Sequence, residues 1–101
     1  MAFAIEMSFK GATLEQYDEV MRLMSLEDGT RTSPPGALFH WAGKTDDGIR
    51  VVDVWETMEQ FDAFAKEEIG PYTQQVGIPA PPETRVTEVH NYLERNEMID
   101  S

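Results

Sequence analysis

The side chains best suited to moving a proton are few: His40, His90 and Asp53. Imidazole titrates near neutral pH, so the two histidines are the natural candidates for a general base. His40 stands between Phe39 and Trp41, and His90 between Val89 and Asn91. Asp53 interrupts the apolar run from Ile49 to Trp55. Its surroundings decide whether it works as a base, pairs with Arg50 or Arg85, or faces a subunit seam. Glu6 and Glu88 pose the same question on other strands. For each histidine the plain alternative is a local hydrogen bond that satisfies the ring beside the sheet.

A second group of residues suits binding. Trp55, Tyr72 and Trp41 are aromatic and lie at strand ends or near irregular backbone. If they wall a cavity, the ligand is flat and apolar with a few polar handles. Phe61 and Phe64 fall on a helical stripe and read as core, as do Met7, Met21, Met24 and Met58.

Other chemistries find no support. The 101 residues include no cysteine, which excludes disulfides, thiolate ligands and thiol nucleophiles. No His-x-x-x-His or carboxylate cluster has metal-ligand spacing, so no metal is expected. Gly43 to Gly48 is a hairpin turn with no helix after it, so it is not a phosphate loop. No cofactor is expected. The formal charge of −11 opposes nucleic acid and anionic membrane surfaces. No apolar run approaches the roughly 20 residues that span a bilayer, and no signal peptide is visible. A soluble cytoplasmic protein is expected, with residues 1–101 forming a single domain.

The elements that must position these residues follow from periodicity. Phe3, Ile5, Met7 and Phe9 alternate with smaller or polar residues, which predicts strand one over 3–9. Thr13 and Gln16 form a capping box, and Leu14, Tyr17, Val20, Met21 and Met24 make the stripe of a helix fading near Leu26. Residues 27–36 read as a long loop, a candidate flap over a pocket. Residues 37–42 are strand two, and Asp47-Gly48 signals a hairpin into strand three. That strand is apolar on both parities, which predicts a central position covered on each side.

Thr57 and Gln60 repeat the capping box. Met58, Phe61, Phe64, Ala65 and Ile69 give the second helical stripe, which Gly70-Pro71 is expected to end. A short helical segment at 72–76 stops at Gly77. Strand four is expected over 83–93, with a flexible tail at 94–101. The order is β-α-β-β-α-β: an α+β, ferredoxin-like fold with a four-stranded antiparallel sheet. Two helices cover only one face of such a sheet, so a second copy of the chain is the simplest cover for the other.

The segment Val52-Asp53-Val54-Trp55-Glu56-Thr57, with Phe61 downstream, resembles the acidic-x-Trp-x-Ser/Thr strand end of the antibiotic-biosynthesis-monooxygenase-like (ABM-like) proteins. These are small dimeric α/β-barrel proteins with the same element order. The resemblance implies a homodimer and an aromatic or polyketide-like ligand. It also implies cofactor-independent oxygenation, cyclisation or isomerisation. Many members carry a histidine on helix two where this chain has Phe64, and haem-degrading members use a helix-two histidine as axial ligand. No histidine lies between Met58 and Gln75, so haem chemistry is disfavoured. The expectation is a small-molecule site in which His40, His90 or Asp53 moves a proton, with Trp55, Tyr72 and Trp41 as walls. The alternative is a non-catalytic ligand-binding or dimerisation domain, because a shared fold does not select an activity.

Overall fold

A computed structural model describes residues 1–26, 31 and 33–101. Four strands pair antiparallel: β1 (Phe3–Lys10), β2 (Ala37–Thr45), β3 (Gly48–Trp55) and β4 (Glu83–Glu88), in the spatial order β2-β3-β1-β4. The run that is apolar on both parities is therefore a central strand. Helix α1 (Leu14–Leu23) follows β1, and α2 (Met58–Phe64) follows β3. Thr13 and Gln16 form the complete reciprocal cap of α1, each satisfying a backbone donor of the other. At α2 the Thr57 hydroxyl accepts from the Gln60 amide, but the Gln60 side chain turns to that hydroxyl instead of the cap amide.

Strand register sorts the side chains into two faces. His40 lies opposite Asp53, and Asp53 opposite Ile5; Phe3, Met7, Phe9, Ile49, Val51 and Trp55 share that face. Most of them are buried, and with Phe61 of α2 they form the core. Trp55 anchors it, 2% exposed, with Phe61 edge-on at 5.8 Å between ring centroids and Phe64 tilted at 5.2 Å. The reverse face carries Ala4, Val52, Val54, Phe39 and Trp41. Phe39 and Trp41 there remain 43% and 44% exposed.

Two expectations about boundaries are corrected. Gly70-Pro71 does not end the second helix. The chain passes through a π turn, Ala65–Ile69, into α3 (Gly70–Gln75), which stops at Gly77 with φ +84°. The Gly70 amide donates to the Ala65 carbonyl, five residues back. A widened turn of this kind has already given up the ordinary bonding pattern, and Pro71 falls in the first turn of α3, where its missing N–H costs little.

The second correction concerns strand four, which ends at Glu88 rather than Leu93. Its partner β1 begins at Phe3, directly opposite Glu88, so the ladder closes with one more bond, from the Val89 amide to the Ala2 carbonyl. The segment expected as a tail instead pairs: β5 (Asn91–Glu94) and β6 (Glu97–Asp100) make a hairpin. Its turn residues Arg95 and Asn96 both take positive φ, as a tight two-residue hairpin favours. Among the described residues, no helix is long and apolar enough to cross a membrane.

Candidate functional site

Between the helices and the buried sheet face lies a cavity of about 360 Å³. Pockets for small organic ligands start at about 300 Å³. Apolar side chains from every surrounding element line it, among them Met21, Met24, Val51, Phe64 and Ile78. The π turn matters to its shape: Phe64, Ile69 and Thr73 all reach the lining from the widened stretch and its flanks. Thr73 satisfies its own hydroxyl by donating to the Ile69 and Gly70 carbonyls.

Polar chemistry is concentrated at one end, as a linear hydrogen-bond chain. Trp55 Nε1–H donates to Asp53 Oδ2 at 3.1 Å, Asp53 Oδ1 meets His40 Nδ1 at 2.6 Å, and His40 Nε2 meets the Tyr17 hydroxyl at 2.5 Å. All four residues line the cavity. Indole is a donor only, so it engages the carboxylate as an acceptor. An ionised Asp53 in turn accepts from Nδ1–H, which leaves the Nε2 lone pair to accept from Tyr17. The Tyr17 and His40 rings are nearly parallel, 8° apart, with centroids separated by 6.1 Å. That is close to the longest separation a 2.5 Å bond permits, so the rings meet edge to edge rather than face to face.

Burial sets the electrostatics. Asp53 is 6% exposed, whereas the His40 side chain keeps 40% of its surface. The Tyr17 phenol is pushed up to about 12, first by burial and then by the negative charges of Asp53 and Asp18. At neutral pH Tyr17 is therefore a firmly neutral donor. No buried side-chain nitrogen or oxygen among the described residues lacks a partner.

Of the residues singled out in the sequence, His40, Asp53 and Trp55 meet in this cavity. His90 does not. It follows β4, at the opposite edge of the sheet from β2, is exposed, and its carbonyl accepts from the Ser101 amide. Trp41 belongs to the reverse face because strand alternation sends it away from its neighbour His40, and it is absent from the lining. Tyr72 sits half-buried on α3 outside the lining. Arg50 and Arg85, considered as partners of Asp53, both fall on the reverse face by register.

Tyr17 was assigned to the α1 stripe as packing, and its part in the site went unread. The available signal was its hydroxyl: a tyrosine on a buried stripe needs a polar partner for its tip.

The loop considered as a flap lies in part outside the described residues. Of its remainder, Ser33 and Pro34 line the cavity. Arg31 bonds both oxygens of Glu68 at 2.6 and 2.7 Å and the Met24 carbonyl at 2.9 Å. It ties the chain beyond α1 to the π turn. Among the described residues, no three histidine or carboxylate side chains are grouped to hold a metal ion.

No family model matches this chain. No curated protein matches it. In three dimensions it is similar to SnoaB, a cofactor-independent oxygenase from Streptomyces nogalater solved as a point mutant. The TM-score is 0.56 at 18% identity, over 91% of this chain and 94% of that one. The chain shares the fold of that protein. Identity this low carries the architecture, an α+β ferredoxin-like sheet with its helices on one face, and leaves activity to be argued from the site.

Proposed function

We propose that the protein binds an uncharged aromatic molecule bearing an acidic hydroxyl, and that the His40–Asp53 pair takes up its proton during cofactor-independent oxygenation. The observation that carries this reading is the Tyr17–His40–Asp53–Trp55 chain, which opens into a cavity whose other lining residues are apolar except for Ser33 and Thr73. Asp53 holds the imidazole in one tautomer and stabilises the imidazolium that forms, while buried Trp55 anchors Asp53. The described lining includes no lysine or arginine and does include Asp53, so carboxylate or phosphate ligands are opposed.

The balanced reaction is phenol plus O2 to quinone plus water. Loss of the hydroxyl proton to the protein makes an electron-rich phenolate. A ring carbon of the phenolate then bonds to O2, and the peroxide anion takes the proton back from the His40 imidazolium to become a hydroperoxide. The hydroperoxide's O–O bond breaks, hydroxide leaves, and the C–H proton at that carbon goes with it as water. One oxygen atom stays as the new carbonyl, and all the electrons come from the substrate. The same proton transfer serves cyclisation or isomerisation where no O2 adds. Likeness in fold to a cofactor-independent oxygenase supports the oxygenation reading.

The working form in this proposal is a homodimer. Trp41 and Phe39, the latter also reaching the cavity lining, give a second copy an apolar patch to cover, with half-buried Val52 beside them. The rival reading, a non-catalytic binding domain, calls for a filled interior or a pocket without titratable groups. The cavity with Tyr17, His40 and Asp53 on its wall favours the enzyme.

The test starts with a thermal-shift screen of phenols, quinones and polyketide-like aromatics, because ligand at 100 times its Kd stabilises by about 2.7 kcal/mol. Oxygen uptake is then followed with the phenols that bind. His40→Ala is expected to lower kcat at least ~100-fold and His90→Ala to leave it unchanged. Full activity in His40→Ala would remove the imidazole from the mechanism.

A further inference from the structure

Both nitrogens of His40 are already engaged within the protein. Nδ1 is held by Asp53 and Nε2 by the Tyr17 hydroxyl, at 2.6 and 2.5 Å. A ligand in the cavity therefore finds no vacant nitrogen on the ring. What it finds is Tyr17, which lines the same cavity and whose oxygen keeps acceptor capacity while donating its hydrogen to His40.

We propose that Tyr17 is the catalytic residue that touches the substrate hydroxyl, relaying its proton to His40. In the transfer, the substrate O–H bond breaks as its hydrogen bonds to the Tyr17 oxygen. The Tyr17 hydrogen moves at the same time to His40 Nε2. The products are a substrate oxyanion, an unchanged neutral Tyr17 and a His40 imidazolium beside Asp53. This rests on the reading above that His40 is the terminal acceptor, and it adds the group through which His40 acts.

Three observations favour a relay over displacement of Tyr17 by the ligand. The Tyr17–His40 bond is short and joins two nearly parallel rings edge to edge. Tyr17 is held in the second turn of a helix whose N-terminus is fully capped, so its ring is not on a free loop. Its phenol resists ionisation, which suits a group that passes a proton on without storing a negative charge. Helix α1 thus brings to the site a residue that does chemistry, and the strands supply the proton sink.

The relay requires one tautomer, and that can be read on the protein without ligand. Long-range nitrogen–proton NMR of the neutral imidazoles, with His90→Gln to assign the two rings, is expected to find the His40 proton on Nδ1 and a bare Nε2. A proton on Nε2 would overturn the relay, since Tyr17 would then be accepting.

The second measurement uses 4-nitrophenol, whose visible absorption reports its ionisation, at a pH where the free phenol stays protonated. Wild-type protein is expected to bind it in the yellow, ionised form. Tyr17→Phe is expected to bind it colourless, with circular dichroism and melting temperature recording that the variant is folded. Bound nitrophenolate in Tyr17→Phe, lost only in His40→Ala, would mean that His40 touches the substrate directly; the relay fails there and the proposed function survives. Bound nitrophenolate that persists in His40→Ala as well would sink both.

Discussion

His40 and Trp41 are adjacent in sequence and opposite in fate. Alternation along β2 sends one into a cavity beneath the helices and the other onto the reverse sheet surface. The helix-side face joins a packed core to a hydrogen-bond chain in which each buried polar atom has a partner. The reverse face offers aromatic and branched side chains, and its large aromatic residues stay more than two-fifths exposed. One face is finished within a single chain; the other is suited to completion by a second. The proposed chemistry is placed on the first because a proton relay needs fixed geometry, which the bonds from Asp53 and Tyr17 give to His40.

Truncating an aromatic residue on each face tests this contrast, and the largest effect belongs to the finished side. Phe61 packs on Trp55 and is 6% exposed. Phe61→Ala is expected to cost ~3–5 kcal/mol in urea unfolding, the usual range for a buried aromatic residue. A loss within ~0.5 kcal/mol would mean the helix side is as unfinished as the other.

On the reverse face, Trp41→Glu is expected to weaken self-association by ~2 kcal/mol or more, as for an aromatic residue central to an interface. Analytical ultracentrifugation reads this as dissociation at micromolar concentration, while the His40 resonances stay where they were. An unchanged sedimentation profile would assign that face to something other than a second copy.

A pH series separates the faces again. Folded Tyr17 keeps its proton to about 12, whereas the unfolded chain releases it near 10. Between these values the unfolded state binds fewer protons, so stability falls as pH rises through the window and is fully present below it. Tyr17→Phe is expected to flatten that part of the slope in unfolding measurements, and Trp41→Phe to leave it unchanged. The smallest effect is at the α1 cap: Thr13→Ala should cost ~1 kcal/mol and loosen Tyr17 by fraying the turn before it.

Much of the architecture was legible from residue patterns. Alternation marked β1, both-parity burial marked β3 as central, and Thr13 and Thr57 marked both helix starts. Where the reading failed, the cause was a contact distant in sequence. Gly70-Pro71 signalled a stop, but the π turn carried the helical rod past it. Val89, Tyr92 and Leu93 suggested a continuing strand, and the charged residues from Glu94 a tail; the end of β1 closed that ladder, and Arg95-Asn96 opened another.

The site was half legible for a related reason. His40, Asp53 and Trp55 stand out because a titratable or indole group in an apolar strand is unusual. Tyr17 does not, since an aromatic residue on a helical stripe looks the same whether its hydroxyl meets water or an imidazole.

By itself the chain order of apolar and polar residues determined which segments become strands and helices, because backbone periodicity and end caps are local physics. It also determined that His40 and Trp41 would part company. Which side each would take, and which residues 13 and 23 positions away His40 would meet, was decided only when β2 paired with β3 in one register and α1 settled across them. Register is a property of the assembled sheet: sliding it by one residue would exchange the two faces and break the Tyr17–His40–Asp53 hydrogen bonds.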